Sequence, residues 1–184
     1  APVWSPDSKN LAFVISTSGN PDIYSYNTKN KKVSRLTSHY GIDTEPAWSP
    51  DGKKLLFTSN RSGSPQIFEI KISNKRIKRV TLEGSYNARA RFFPDGKNIV
   101  FVHGNNGIFH IATRNLKDRF INIVTQTTLD ESPTISPNGH IVIYSTKKEN
   151  QGYLAGLTID RKSKFQLPVK KGSVREPSWS PFLN

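Results

Sequence analysis

The chain has 184 residues, 34% of them hydrophobic and 22% charged, enough for one globular domain, and no run of about 20 apolar residues crosses it. The absence of cysteine excludes a disulfide framework, a thiolate metal site and a cysteine nucleophile. Twenty-seven lysines and arginines against fourteen acidic residues give a formal charge of +13, which would attract nucleic acid, anionic lipid or an acidic partner. The cations fall mainly in turn-forming segments (Lys29, Lys31 and Lys32; Lys75, Arg76, Lys78 and Arg79; Arg161, Lys162 and Lys164). That distribution reads as solvated turns and protected strand edges before it reads as a single footprint.

From the N-terminus, Trp4-Ser5-Pro6-Asp7 opens a pattern that returns as Trp48-Ser49-Pro50-Asp51-Gly52, Phe92-Phe93-Pro94-Asp95-Gly96, Ile135-Ser136-Pro137-Asn138-Gly139 and Trp179-Ser180-Pro181. The prolines are spaced by 44, 44, 43 and 44 residues, a period that belongs to propeller blades or helical arrays. Proline presets φ for the second turn position, Asp or Asn suits the third, and glycine accepts the left-handed conformation that returns the chain. Pro6-Asp7-Ser8 lacks that glycine, so its turn is expected to differ or to carry strain.

After each turn comes a short apolar run, Leu11 to Ile15, Leu55 to Thr58, Ile99 to His103 and Ile141 to Ser145, read as a second strand. A third strand follows at Ile23 to Tyr26, Gln66 to Ile72, Ile108 to Ala112 and Tyr153 to Leu157, and a fourth run ends at Arg35-Leu36-Thr37, Arg79-Val80-Thr81 and Ile123-Val124-Thr125. Four strands per repeat leave no room for an ordinary helix. Such a sheet cannot bury its faces alone, whereas stacked sheets bury both. The reading is an all-β chain, a β-propeller of four-stranded antiparallel blades with repeats at 1–44, 45–88, 89–131 and 132–175, and a closing strand at 176–184 that implies a larger ring. The bulky residue before each turn, Trp4, Trp48, Phe92, Ile135 and Trp179, is expected to fill the space between neighbouring blades.

Trp-Ser-Pro-Asp-Gly-Lys followed by an apolar strand and by Ser-Asn-Arg-Ser-Gly-Ser-Pro-Gln-Ile-Phe resembles the WD40-like propeller repeats of the TolB family. Thr44-Glu45-Pro46, Thr81-Leu82-Glu83-Gly84-Ser85, Asp130-Glu131-Ser132-Pro133 and the terminus Pro177-Ser178-Trp179-Ser180-Pro181-Phe182-Leu183 carry the likeness more specifically, and it covers the whole chain. It implies the C-terminal part of a six-bladed propeller, without the family's N-terminal α/β domain and almost two blades. It also implies a non-catalytic periplasmic adaptor of the Tol-Pal cell-envelope system. The implied partners are the lipoprotein Pal and colicin-type translocation segments, with TolA engaged by an N-terminal segment outside this sequence, and neither nucleic acid nor direct membrane insertion is implied.

By motif position, the resemblance places the partner surface on the loops that lead into each innermost strand: Ala1, Thr44 and Glu45, Ala88 and Arg89, Glu131 and Ser132, Arg175 and Glu176. Independently of the likeness, loops at one propeller face converge, which would bring Glu45, Glu131 and Glu176 beside Arg89 and Arg175, with Tyr40 and Tyr86 on the approaches. Arg89 and Arg91 stand where the family suggests acidic residues. Calcium needs a shell of oxygens, and Glu45, Asp130, Glu131 and Glu176 are the carboxylates on offer, so neither a metal nor another cofactor is expected.

Two other classes compete. No Gly-x-Ser-x-Gly elbow, His-Glu-x-x-His or phosphate-binding glycine loop is present, and the histidines at 39, 103, 110 and 140 fall in different slots, so catalysis is not expected. The alternative is the propeller domain of a prolyl-oligopeptidase-like peptidase, with its catalytic domain elsewhere. A nucleic-acid binder would show affinity that falls steeply with salt.

Overall fold

The computed structural model describes residues 2–17, 19–118, 120–149, 151–169 and 172–180. Among them every regular element is a strand, arranged as four antiparallel sheets of four strands each. The first sheet holds β1 (Val3–Trp4), β2 (Asn10–Thr17), β3 (Asn20–Asn27) and β4 (Val33–Arg35), and the second β5 (Asp43–Trp48), β6 (Lys54–Ser59), β7 (Gln66–Lys71) and β8 (Ile77–Arg79). The third holds β9 (Tyr86–Phe92), β10 (Asn98–Asn105), β11 (Ile108–Asn115) and β12 (Asn122–Ile123), and the fourth β13 (Glu131–Ile135), β14 (Ile141–Lys148), β15 (Gln151–Thr158) and β16 (Lys164–Gln166). Strands run in sequence order within each sheet, the meander of propeller blades. Two compact units divide the chain, 1–90 and 91–184, with the division inside β9.

Within the first unit the sheets are joined by apolar packing. Ala12 and Ile23 on one face of the first sheet, with Leu36, form a buried cluster with Leu55, Phe57, Phe68 and Ile70 of the second. Phe57 and Phe68 stack across β6 and β7 at 5.8 Å, and Trp48 packs at the margin, its indole N–H donating to the Val3 carbonyl at 3.2 Å. The bulky residue before the turn thus joins neighbouring sheets at Trp48, while Trp4, in the same slot, is 58% exposed. In the second unit Val100, Val102 and Ile111, and Val142, Ala155 and Leu157, occupy corresponding buried positions.

The last strand of a sheet stops earlier than the sequence pattern suggests. β4 and β8 end at Arg35 and Arg79, two residues before Thr37 and Thr81. The cause is a hydroxyl that replaces a ladder bond: Thr37, Thr81 and Thr125 each accept the backbone N–H of Ile23, Ile67 or Ile111 at 2.9 Å. All three threonines are buried, so each hydroxyl substitutes for a backbone acceptor that the strand could not otherwise supply. Residues 176–180, expected to open a closing strand, are not in a strand.

The recurring turn works as its residues predict, with one addition. In the second sheet Ser49 Oγ donates to Asp51 Oδ1 at 2.6 Å and accepts the N–H of Lys54 at 3.0 Å, while Asp51 Oδ1 also accepts the N–H of Lys53 at 3.0 Å. Ser5, Asp7 and Lys9 repeat this set, and Ser136 with Asn138 does the same without a charge. Ser8, in the glycine slot, takes φ 56°, so this turn keeps its geometry and accepts the strain. Gly52 has φ 67°, and a Cβ there would lie 3.5 Å from Pro6, which shows how closely successive turns stack.

The serine hydroxyl and the Lys9 amide hold the Asp7 carboxyl below its ordinary value, and Ser49 with the Lys53 amide does so for Asp51. At Asp95 burial acts in the opposite sense, and the N–H groups of Asn98 and Lys97 outweigh it. A carboxyl depressed in the folded state stabilises above its unfolded value and loses that contribution as pH falls through the folded value. Lowering the pH from about 5 to about 2 is therefore expected to shift the denaturant midpoint down, and Asp51→Asn is expected to shrink that shift by lowering the midpoint at neutral pH, since the amide keeps the contacts Asn138 makes but not the charge that strengthens them. Ser8→Gly should raise stability by up to about 1 kcal/mol in a denaturant titration, by relieving the left-handed conformation.

Candidate partner-docking site

Opposite the Pro-Asp turns, the connections from one sheet to the next lie beside the second hairpin of each sheet. In the first unit, residues 36–42 are tied down by short polar contacts. Asn20 Nδ2 donates to the His39 carbonyl, the Gly41 N–H donates to His39 Nδ1 at 2.9 Å, and the Ile42 N–H donates to Asn60 Oδ1 at 2.8 Å. A Cβ at Gly41 would stand 2.8 Å from Asn60 Oδ1 and 3.0 Å from the Arg61 backbone, so only glycine lets the two loops touch. This scaffold presents Tyr40, 87% exposed and tilted against the His39 ring at 4.0 Å, together with Ile42.

Beneath that loop lies a buried charge. Asp43 is fully buried and pairs with Arg61 Nη2 at 2.6 Å, while Arg61 also donates from Nε to Ser59 Oγ at 3.0 Å. The guanidinium lies 5.2 Å from the centres of both Phe57 and Phe68, so it covers the apolar stack as well as neutralising Asp43. The corresponding positions in the later repeats, Asn87 and Asp130, are also buried and polar. Asn87 donates to Gln66 Oε1 at 2.9 Å and to the Glu83 carbonyl at 2.7 Å, anchoring the 80–86 connection, and Asp130 accepts the Thr125 hydroxyl. In the sequence Asp130 stands out only as a carboxylate on offer to calcium, and Asp43 and Asn87 not at all, although all three recur at the repeat period.

The residues placed here by motif occupy a distinctive backbone. Glu45, Arg89, Ser132 and Glu176 have φ of 56°, 57°, 52° and 54°, one in each successive repeat. Where the pairing is defined, the cause is a β-bulge: the register passes from Thr44 opposite Thr58 to Ala47 opposite Leu56, and from Glu131 opposite Ser145 to Thr134 opposite Ile143. The bulged pairs are Glu45-Pro46 and Ser132-Pro133. Proline cannot donate to a ladder and is accommodated at a bulge, which gives the recurring x-Pro motif a structural reason.

Glu45 Oε1 meets Arg89 Nε at 2.9 Å, while Glu45 Oε2 accepts the Thr58 hydroxyl at 2.7 Å and the Arg89 backbone N–H at 3.1 Å. The structure thus brings Glu45, Arg89 and Thr58 together, with Arg89 the counter-ion of Glu45. Thr44 is half-buried, as is Tyr86. Ala88 is 1% exposed, so its methyl group is buried. In the second unit Glu131 and Arg175 line one small polar hollow with Thr146 and Val174, Ser132 is half-buried, and Arg175 and Glu176 are exposed. Ala1 lies outside the described residues. Among the described residues no three His, Asp or Glu side chains converge as a metal site would require.

Bulged innermost strands, anchored connections and the exposed tips Tyr40, Ile42 and Leu82 define a repeat propeller whose loop end is built to hold surface side chains in fixed positions. The family model of the TolB β-propeller domain matches residues 1–183, and the chain belongs to that family. The chain is similar to the Tol-Pal system protein TolB of Pseudomonas fluorescens, 46% identical over 76 residues, which are 41% of this chain and 18% of that protein. It is also similar to the crystal structure of TolB from Acinetobacter baumannii, with 44% identity and a TM-score of 0.92 over 99% of this chain. The chain spans less than half of that protein, 46%. A likeness to puromycin hydrolase, 12% identical with a TM-score of 0.74, shows the shared fold alone.

Two substitutions separate scaffold from surface. Arg61→Ala strands the buried Asp43 carboxylate and is expected to cost about 3–5 kcal/mol in a denaturant titration. Glu45→Ala removes a partly exposed ion pair and the Thr58 acceptor, with an expected loss of about 1–2 kcal/mol and clear non-additivity with Arg89→Ala in a double-mutant cycle.

Proposed function

We propose that this chain is the partner-docking part of a non-catalytic adaptor of the Tol-Pal cell-envelope system, working in the periplasm and binding the lipoprotein Pal through the loop end of its blades. The family, the names of the related proteins and the 44% likeness to a solved TolB support the reading. The observation that carries it is the run of left-handed residues, Glu45, Arg89, Ser132 and Glu176, at the positions the family likeness assigns to the partner. Ser8, Lys31, Lys75 and Arg161 adopt it in tight turns, whereas these four recur at the entry to an innermost strand, where the cost of the conformation fixes backbone shape for binding.

The chemistry fits a folded protein partner. Tyr40, Ile42 and Leu82 are exposed on anchored connections, and tyrosine gives large contact area at low entropic cost. The Glu45–Arg89 pair beneath them would set polar specificity at the centre, where water is excluded on docking. Colicin-type segments that compete for the same loops would use the same anchors. Support for outer-membrane integrity and cell division follows from this role.

Binding of Pal from the same source to the full-length protein tests the proposal by calorimetry or pull-down. Thr44→Ile is expected to abolish measurable binding by placing a bulkier apolar side chain on the bulge, and Tyr40→Ala to weaken it about tenfold or more while leaving the unfolding midpoint unchanged. Equal binding by wild type and both variants, or none by any of them, would refute it.

A further inference from the structure

At 87% exposure Tyr40 has almost no packing to fix it, so its position depends on the residues that flank it. The His39 carbonyl is gripped by Asn20 Nδ2 from β3, and the Gly41 N–H donates to His39 Nδ1 at 2.9 Å. The Ile42 N–H then donates to Asn60 Oδ1 at 2.8 Å, and Gly41 lies so close to Asn60 and Arg61 that a Cβ would collide with them. One of these ties depends on a proton. Asn20 and Asn60 are amides and keep their hydrogen bonds at any ordinary pH, whereas an imidazole nitrogen accepts a hydrogen bond only while it is unprotonated.

With its hydrogen on Nε2, the neutral ring leaves Nδ1 free to accept from Gly41, and a proton added at Nδ1 would set N–H against N–H. Residues 1–90 contain no other histidine. The hairpin turns beside the loop, 17–20 and 59–66, carry no ionisable group besides Arg61, and the connection 36–42 carries none besides His39 and Tyr40. Charges on the strands nearby are already engaged: Asp22 with Arg35, Asp43 with Arg61, Glu45 with Arg89, and Lys75 with the Arg35 carbonyl. The Tyr40 ring leans on the imidazole at 4.0 Å, so a displaced imidazole moves the tyrosine with it.

We propose that neutral His39 is the positioning residue of Tyr40, and that protonating it weakens docking of the protein partner at this end. The inference rests on the reading of the loop end as the docking surface and adds the control of that surface. Loss of this tie does not unfold the loop, because Asn20 still holds the His39 carbonyl and Asn60 still holds the Ile42 amide. It widens the range of orientations open to Tyr40, which a partner must then narrow again on binding. The weakening expected is about three- to tenfold, the worth of one net hydrogen bond.

Calorimetry of the full-length protein with Pal from the same source, at pH about 8 and about 5.5, tests this, because histidine changes charge between those limits. Wild type should bind about three- to tenfold more weakly at the lower pH. His39→Asn, whose amide oxygen accepts an N–H two residues on at either pH, should bind as wild type does at the higher pH and lose the dependence. His39→Ala should bind at the weaker level throughout. A titrating group on Pal would shift all three proteins alike, so the difference in slope carries the result. Amide NMR of the free protein adds a readout without the partner: the Gly41 N–H resonance should follow the titration of His39 in wild type and stay fixed in His39→Asn. Equal slopes for wild type and His39→Asn, a Gly41 resonance indifferent to pH, or full binding by His39→Ala at the higher pH overturns this inference alone, provided Tyr40→Ala still weakens binding. If Tyr40→Ala binds as wild type does, or no form binds Pal, the docking reading itself fails and this inference falls with it.

Discussion

The packing of one face of a sheet against the next is the constraint on which the architecture rests. Ala12, Ile23 and Leu36 on one side and Leu55, Phe57, Phe68 and Ile70 on the other are almost wholly removed from water, at roughly 1.5–3 kcal/mol for each large side chain. A four-stranded meander has two such faces and little else, so its faces are committed to neighbours and only its ends are free to do anything further. Both ends are loops, and the way the chain finishes them explains where chemistry can sit. The fold therefore separates stability, in the faces, from recognition, in the connections.

The two ends solve the same problem of unpaired backbone groups in different ways. At the turn end, local side-chain oxygens from Ser5, Ser49, Asp51 and Asp95 close each hairpin within a few residues, and the flanking side chains stay in solvent. At the loop end the connections are longer, and their carbonyls and amides are held by residues from elsewhere: Asn20, Asn60 and Asn87 reach between connections, and Arg61 reaches Asp43. A buried polar group is costly unless paired, so each pairing that is made holds its loop to one conformation.

This difference also decides what could be read in the residues. The Pro-Asp-Gly spacing exposes the blades because turn chemistry is local: Pro50, Asp51 and Gly52 act within six residues of chain. The bulge was visible only as a recurring Glu45-Pro46 or Ser132-Pro133 motif, since a register shift is a property of two strands and not of one. The pairing of Glu45 with Arg89, 44 residues apart, depends on sheet stacking, and the burial of Ala88 depends on which face it shares. Thr37 and Thr81 look like ordinary strand residues until the neighbouring amide that they receive is known.

The sign of the net charge follows from the same division. A cation that loses hydration needs a counter-charge, and at the loop end the largely covered Arg61 and Arg89 are matched by Asp43 and Glu45. A cation at a turn tip keeps its water and meets no such demand, so lysines can accumulate there with little effect on folding. Self-repulsion between them is screened over about 8 Å in physiological salt, which sets no strong limit on their number. Cations can therefore outnumber acids at the turn end of the first unit, where Lys9, Lys29, Lys31, Lys32, Lys53, Lys75 and Arg76 face only Asp7 and Asp51. The resulting polarity gives each blade two chemically distinct surfaces without altering the apolar faces that hold it in place.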